Sequence, residues 1–294
     1  MSIKPRPPQQ QTTRPKTLQT RTTEPPQDDS GERIQKLLAQ LGYGSRREIE
    51  EWIRHGRVAL NGSIAQLGDR YKPGDRLILN GQTLNLEGRL DIPTRVLIYH
   101  KPTGEIVSRR DPEGRPVVFT QLPRMPKGRW IAIGRLDINT QGLLLVTSNG
   151  ELANRMMHPS QEVEREYAVR VIGAISDELL DRLRRGVMLD DGEARFEAIH
   201  DAGGEGANHW YHVTLKEGRN RIVRRLWESQ DVTVSRLMRI RFGQIALPPR
   251  LRARTFMELP QEEVDRLLES VGLPAETQTH PSGKFTHTHR KPHR

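Results

Sequence analysis

Apolar residues fall along this chain in short runs of two spacings. Ile34, Leu37, Leu38 and Leu41 recur at helical spacing and stop before Gly42, and Ile49, Trp52 and Ile53 repeat the pattern behind a Ser45/Glu48 capping pair. Two short helices are expected. Val58 to Leu60 before Asn61-Gly62 reads as a strand and tight turn, and Pro73-Gly74 and Asn80-Gly81 bracket a strand at Leu77 to Leu79. Farther on, Val96 to Tyr99 predicts a strand, Lys101 to Gly104 a turn, and Asp111 to Pro116 a longer loop. Trp130, Ile131 and Ile133 form another strand and Leu143 to Val146 a buried one, so Asp137 lies on the loop between them.

The pattern continues with a helix at Glu151 to Met157 and a strand at Glu166 to Ile172. A helix from Asp177 to Arg185 follows, capped by Ser176 and stopped at Gly186. Strands are expected at Val187 to Leu189, Ala194 to Ile199 and Trp210 to Lys216, with Gly203 to Asn208 as a loose connection. Ile222, Val223, Leu226 and Trp227 share one helical face. Strands at Val232 to Met238 and Ile240 to Ile245 and a helix near Glu262 to Val271 end the ordered part. Long antiparallel strands with few helices imply an α+β domain. Residues 1–30 are polar, proline-rich and basic and read as a disordered tail, as do residues 275–294. Between them the expected units are a small module at 31–88, a linker at 89–94 and a larger domain at 95–274.

Composition narrows the function. The 294 residues carry a net charge of +10 and no cysteine, which excludes disulfide and thiolate chemistry and points to a polyanionic partner, nucleic acid above all. No apolar run approaches the ~20 residues that span a bilayer and the N-terminus has no signal-peptide core, so a cytoplasmic chain without a membrane partner, acting as a monomer, is expected. His280, His287, His289 and His293 lack carboxylate or thiolate company, and the other histidines are scattered, so neither metal nor cofactor is expected.

Asp137 stands on its loop between apolar flanks, a usual way to place a reactive carboxylate and also a usual setting for an Asp that bonds its own backbone. The run from Gly134 to Leu145, Gly-Arg-Leu-Asp-Ile-Asn-Thr-Gln-Gly-Leu-Leu-Leu, resembles the signature of the ribosomal RNA pseudouridine synthases of the small-subunit-enzyme branch. The likeness continues through Asn149 to Arg155, His158-Pro159 and Glu164 to Tyr167, over roughly residues 95 to 260. Glu217 to Arg221 with Val223 to Glu228 resembles the members of that family that act on the large subunit. The resemblance implies a domain with a mixed, mainly antiparallel sheet, flanking helices and a catalytic loop in a cleft across it.

The small module resembles an S4-like (alpha-L) RNA-binding domain, in which Arg33, Lys36, Ser45, Arg46, Arg47, Arg54 and Arg57 match phosphate-contacting positions. The residues agree in kind: these cations gather at helix starts and the intervening turn, where backbone N–H groups also favour phosphate. A solvated face balanced by Glu48, Glu50 and Glu51 is the alternative. Lys101, Arg109, Arg110 and Arg115 are further cations that could touch phosphate or stay solvated.

What the family resemblance implies chemically is isomerisation of a uridine in ribosomal RNA, 23S RNA of the large subunit. Hydrolysis of a glycosidic bond uses two carboxylates. Isomerisation with the base kept in the pocket needs one, acting as nucleophile at C1′ or as a base, with Leu143 and Val223 as apolar walls against water. Arg224 matches the family's basic position, where pairing would keep Asp137 charged and oriented, although several relatives carry Lys there. Tyr167 matches the family tyrosine, which stacks on a flipped uridine and can relay the C5 proton; a core tyrosine is the alternative. Val223 matches an aliphatic position near the base and fits helix core equally well. Arg135 either fills the gap left by the flipped nucleotide or makes a structural ion pair. Competing readings are a non-catalytic RNA-binding ribosome-assembly factor, a synthase acting on 16S rRNA, and a metal-dependent nuclease built on Asp190-Asp191.

Overall fold

The computed structural model describes residues 30–86, 92–126, 128–205 and 208–276. The expected tails, apart from a few residues, half of the 89–94 linker, the four tail histidines and residues 206–207 of the Gly203-to-Asn208 connection lie outside them.

The N-terminal part contains β1 (Glu32–Arg33), α1 (Ile34–Gln40), α2 (Arg46–Arg54), β2 (Val58–Leu60), β3 (Ser63–Ile64), β4 (Arg70–Tyr71), β5 (Leu77–Leu79) and β6 (Gln82–Thr83). Its two helices form for the reasons seen in the sequence. The Ser45 hydroxyl accepts from Glu48 N at 3.2 Å and the Glu48 carboxylate accepts from Ser45 N at 2.6 Å, which satisfies two orphan donors at the start of α2. Ile34, Leu37, Leu38, Ile49 and Ile53 then bury against Val58 and Leu77 of the small sheet, ordered β3-β2-β5-β6.

Beyond residue 92 the elements are β7 (Val96–Lys101), β8 (Ile131–Ile133), β9 (Gln141–Thr147), α3 (Gly150–Met157), β10 (Arg165–Ile172), α4 (Asp177–Arg185), β11 (Val187–Leu189) and β12 (Gly192–Ala194). They continue with β13 (Ala198–Glu205), β14 (Asn208–Leu215), α5 (Ile222–Glu228), β15 (Thr233–Phe242), β16 (Ile245–Ala246), β17 (Phe256–Glu258) and α6 (Gln261–Ser270). One mixed sheet runs β13-β14-β10-β15-β9-β7-β17, with β8 on β9 and β16 on β15. Its pairings are antiparallel except β9 with β15. Both faces are covered because each strand alternates two apolar sets. Leu97, Tyr99, Leu144, Val146, Tyr167 and Val169 pack with residues of α4 and α5, while Ile98, Leu143, Leu145 and Phe242 pack with α3 and α6.

The structure departs from the sequence pattern in five places. The Gly203-to-Asn208 stretch, expected as a loose connection, is strand on both sides, with Gly204 facing His209 and Glu205 facing Asn208. The first central strand continues through Lys101, which is not in a turn. The two strands expected between Val232 and Ile245 are one ten-residue strand, and a register shift opposite Glu166/Tyr167 absorbs the irregularity. The Ala194-to-Ile199 strand is divided, since Gly192–Ala194 pairs back on β11 as its own hairpin before β13 begins. The edge strand β17, exposed along its length, went unrecognised because little of it is buried.

The two halves of the sheet join at the short parallel contact of β9 with β15, where Gln141 faces Met238 and Gly142 faces Arg239. Gly142 sits at φ +105°. A Cβ there would lie 2.8 Å from Arg239 N and closer still to its carbonyl oxygen. Only glycine permits this approach. Gly142→Ala should therefore cost about 3 kcal/mol or more, from left-handed strain plus overpacking against main chain. Gly134→Ala, also at positive φ but with nothing within 4 Å of the added carbon, should cost only about 1–2 kcal/mol. Urea unfolding of both variants measures the difference, and equal losses would show that the β9–β15 contact yields freely.

Candidate active site

The β9–β15 join aligns one row of residues across five strands: Val213 on β14, Tyr167 on β10, Arg239 on β15, Gly142 on β9 and Lys101 on β7. The loop carrying Asp137 departs from β9 at this level.

Its main chain is held at four successive carbonyls. Asp137 O accepts from Lys101 Nζ at 2.9 Å and from Thr140 N at 3.0 Å; Ile138 O accepts from Gly104 N at 2.7 Å. Asn139 O accepts from Arg224 Nη2 at 3.0 Å, and Thr140 O accepts from Lys101 Nζ at 2.9 Å. The Asp137 side chain is half-buried, and among the described residues its carboxylate has no hydrogen bond or ion pair. The backbone is locked and the carboxylate is free.

Lys101 is 0% exposed, and its third donor meets Pro102 O at 3.0 Å. Burial pushes this ammonium down to about 8, opposed by the fields of Glu105 and Asp137. The expected phosphate-contacting or solvated role for Lys101 is thus corrected: an ammonium with three carbonyl partners under a packed sheet faces neither water nor RNA. Glu105 is itself buried, with its oxygens bonded by Tyr99 Oη at 2.6 Å and Arg254 Nε at 3.1 Å.

Arg224, 6% exposed, lies beneath the loop. The direct ion pair with Asp137 is absent at 4 Å, because Nη1 donates to Val234 O at 2.8 Å and Nη2 to Asn139 O; Nε is buried without a partner. Burial lowers its pKa first and Arg221 adds to that, while Asp137 acts in the opposite sense, so the two side chains interact through the field and not by contact. Val223 packs in the core with Leu226 and Trp227. Leu143 lies on the opposite sheet face from Tyr167, so it is not a wall beside that ring. Arg135 is exposed, and no ion pair involves it among the described residues.

Tyr167 is 8% exposed and lies beside Arg239. Sequence reading passed over Arg239. The residue is 3% exposed; its guanidinium donates from Nε to Leu143 O at 2.8 Å, rests 4.8 Å from the Phe242 ring centroid and, among the described residues, leaves Nη2 without an acceptor. Burial lowers its pKa, and the Tyr167 hydroxyl favours the charged form without satisfying Nη2 geometrically. The signal that could have found it is a cation at an apolar-parity position two residues after buried Leu237.

Other expected contacts are dispersed. Arg33, Arg46 and Arg47 are exposed, and no ion pair engages them among the described residues. Lys36 stands 3.1 Å from Glu32 and 3.8 Å from Glu151, Ser45 is engaged in capping α2, Arg54 pairs with Glu51, and Arg57 bonds Asn80 at 2.8 Å over the Trp52 ring. Arg115 pairs with Asp111 and Glu113. Asp191, the better placed of the nuclease carboxylates, is held by Arg219 at 2.8 Å and Arg225 at 2.5 Å, and no group of three potential metal ligands gathers among the described residues. A cleft of about 640 Å³ opens by Arg165, lined also by Met157, Lys216 and Arg219.

Residues 95–229 match the family described as RNA pseudouridylate synthase, and residues 32–77 match the S4 domain. Ribosomal large subunit pseudouridine synthase B of Pseudomonas aeruginosa is 55% identical over 253 residues, 86% of this chain and 66% of that protein. Its counterpart in Haemophilus influenzae is 57% identical over 251 residues, 85% of this chain and 70% of the relative. The crystal structure of a pseudouridylate synthase superposes with a TM-score of 0.55 over 81% of this chain and 100% of that one, at 22% identity, which establishes likeness of fold.

The buried ammonium has a measurable linkage. The unfolded chain keeps the Lys101 proton to about 10.5 and the folded chain loses it near 8, so between these values the unfolded state binds more protons and stability rises with pH. Relative to Lys101→Met, the wild type should gain up to about 3 kcal/mol of unfolding free energy from pH 8 to 10.5. A difference independent of pH in chemical unfolding would remove the buried charge from the account.

Proposed function

The chain belongs to the RNA pseudouridylate synthase family, and from that membership we propose that it converts a uridine of large-subunit (23S) ribosomal RNA to pseudouridine, as a cytoplasmic monomer without metal or cofactor. Its S4 domain, within the 31–88 module, grips RNA, and the 95–274 domain performs the chemistry. In the reaction the N1–C1′ bond breaks, the uracil stays bound and turns, C5 joins C1′, the C5 proton leaves and N1 gains one. Nothing enters or departs, so one carboxylate suffices where hydrolysis uses two.

Asp137 is that carboxylate. The carrying observation is the contrast between its loop, fixed at four consecutive carbonyls, and its side chain, left unbonded for a substrate. It acts at the sugar as nucleophile on C1′ or as base beside it, and the rigid backbone removes the cost of orienting it. Arg224 supports it at second hand: one donor fixes Asn139 O and the remaining charge lies in the carboxylate's field. Tyr167 offers a stacking face to the flipped base and a hydroxyl for the C5 proton. Val223 backs that pocket from α5. Exposed Arg135 occupies the gap left in the RNA.

Asp137→Asn keeps the shape and loses the charge. It should lower single-turnover pseudouridine formation by about 10²–10⁴-fold at least, with RNA affinity little changed. Pseudouridine mapping in 23S rRNA with and without the protein reads both the activity and its target, and an Asn variant that still makes product would remove Asp137 from the mechanism.

Arg224→Lys should retain activity and Arg224→Met should lose most of it, because lysine keeps the cation and can reach a carbonyl while methionine leaves Asn139 O unheld. Equal rates for the two would show that the guanidinium does not support the loop. Tyr167→Phe preserves stacking, worth about 1–3 kcal/mol, and tests the hydroxyl alone. It should bind RNA normally and turn over slowly, and wild-type turnover would exclude the relay.

A further inference from the structure

The N-terminal module meets the larger domain where side chains are smallest. A Cβ on Gly42, at the end of α1, would lie 2.5 Å from Gly128 O, and one on Gly128 would lie 3.1 Å from Gln40 O, so main chain meets main chain. Lys36 reaches Glu151 of α3 across the same seam at 3.8 Å, and Arg46 Nη2 lies 3.9 Å from where a Cβ of Gly150 would be.

Cations gather beside this contact. Arg109 donates to Trp130 O and lies over the Phe119 ring at 4.6 Å, in an orientation set by the domain and not by an acid. Arg129 is half-buried next to it, with Nε enclosed and, among the described residues, without a hydrogen-bond partner. Arg110 and Arg46 are exposed on either side of the seam. The carboxylate facing them is Glu48, already tied to Ser45 N at 2.6 Å and in the field of Arg129 and Arg110. Lys36 and Glu151 largely cancel each other, and Arg155 takes the other Glu151 oxygen at 3.0 Å.

Among the described residues, four guanidinium groups thus stand against one committed carboxylate. Desolvation and the neighbouring charges of Arg109 and Arg46 all disfavour the Arg129 cation, with Glu48 opposing them only in part. Arg109 is exposed, and partial desolvation lowers its pKa in the same sense, opposed by the field of Glu48. Convergent cations without counter-ions are unfavourable unless an anion completes the set, and guanidinium forks suit phosphate oxygens.

We propose that Arg46, Arg109, Arg110 and Arg129 form one phosphodiester-binding seam that holds RNA backbone simultaneously on the S4 domain and on the catalytic domain. The inference rests on the reading of the chain as a ribosomal RNA enzyme, and adds that part of the grip belongs to neither unit alone. A strand lying across the seam ties the module's hold on RNA to the position of the uridine offered to Asp137.

Binding of the full chain to unmodified, in vitro transcribed large-subunit rRNA, followed from about 50 to about 200 mM salt, tests this. Arg129→Gln and Arg110→Gln should each weaken binding severalfold and flatten the log–log salt dependence by about 0.7–0.9, the share of one phosphate contact. Glu48→Gln, which a capping box tolerates, should do the opposite and tighten binding. Arg266→Gln, on the exposed side of α6, is the control for loss of one charge. Melting curves accompany each variant, and exposed Arg110 covers the case in which replacing Arg129 unfolds its loop. Slopes for the Arg129, Arg110 and Glu48 variants that match the Arg266 control would overturn the proposal and leave the arginines as an interdomain clasp. That failure is separate from failure of the isomerase reading, because Asp137→Asn is expected to keep the wild-type salt slope while abolishing product.

Discussion

The approach of Gly142 to the backbone of Arg239 is the constraint on which the rest of this protein depends. Two antiparallel half-sheets, which share one apolar cluster on each face, meet there through only two facing residue pairs of β9 and β15. Any side chain at Gly142 would push the halves apart. With the halves joined, Lys101, Arg239 and Tyr167 fall on one line, and the loop leaving β9 is delivered to the same place.

Charge is then buried for position. Among the described residues Lys101 makes no ion pair; its ammonium is spread over three carbonyls, two of them in the Asp137 loop. Arg224 holds a third loop carbonyl and Arg239 holds Leu143 O, so each buried cation stiffens main chain around the carboxylate. Such groups are costly to bury and costlier to leave unpaired. Among the described residues, the enclosed Nε of Arg224 and Nη2 of Arg239 have no hydrogen-bond partner and mark where the site retains unsatisfied donors.

The N-terminal module extends this economy outward. Its helices present Arg46 and Glu48 to the domain at the point where Gly42 and Gly128 allow contact, and the domain presents Arg109, Arg110 and Arg129 in return. α3 packs against β8 and carries Glu151, which Lys36 of the module reaches at 3.8 Å.

What the chain alone determined was local. The spacing of Ile34, Leu37 and Leu38, the Ser45/Glu48 cap, the Ser176-to-Gly186 helix and the alternation in β9 and β10 are set by residues two to four positions apart, and each was legible as an element. The Gly134-to-Leu145 run likewise singled out Asp137 by family resemblance alone. Tertiary structure decided the burial of Lys101, the continuity of β15 through Arg239, the opposed faces of Leu143 and Tyr167, and the absence of an Arg224–Asp137 contact. The reason is range: Arg239 finds its carbonyl 96 residues away at Leu143, and Arg224 finds Asn139 across 85. Periodicity reports which face a residue takes on its own strand or helix, whereas the partner that makes a buried cation tolerable is fixed only when distant strands come into register.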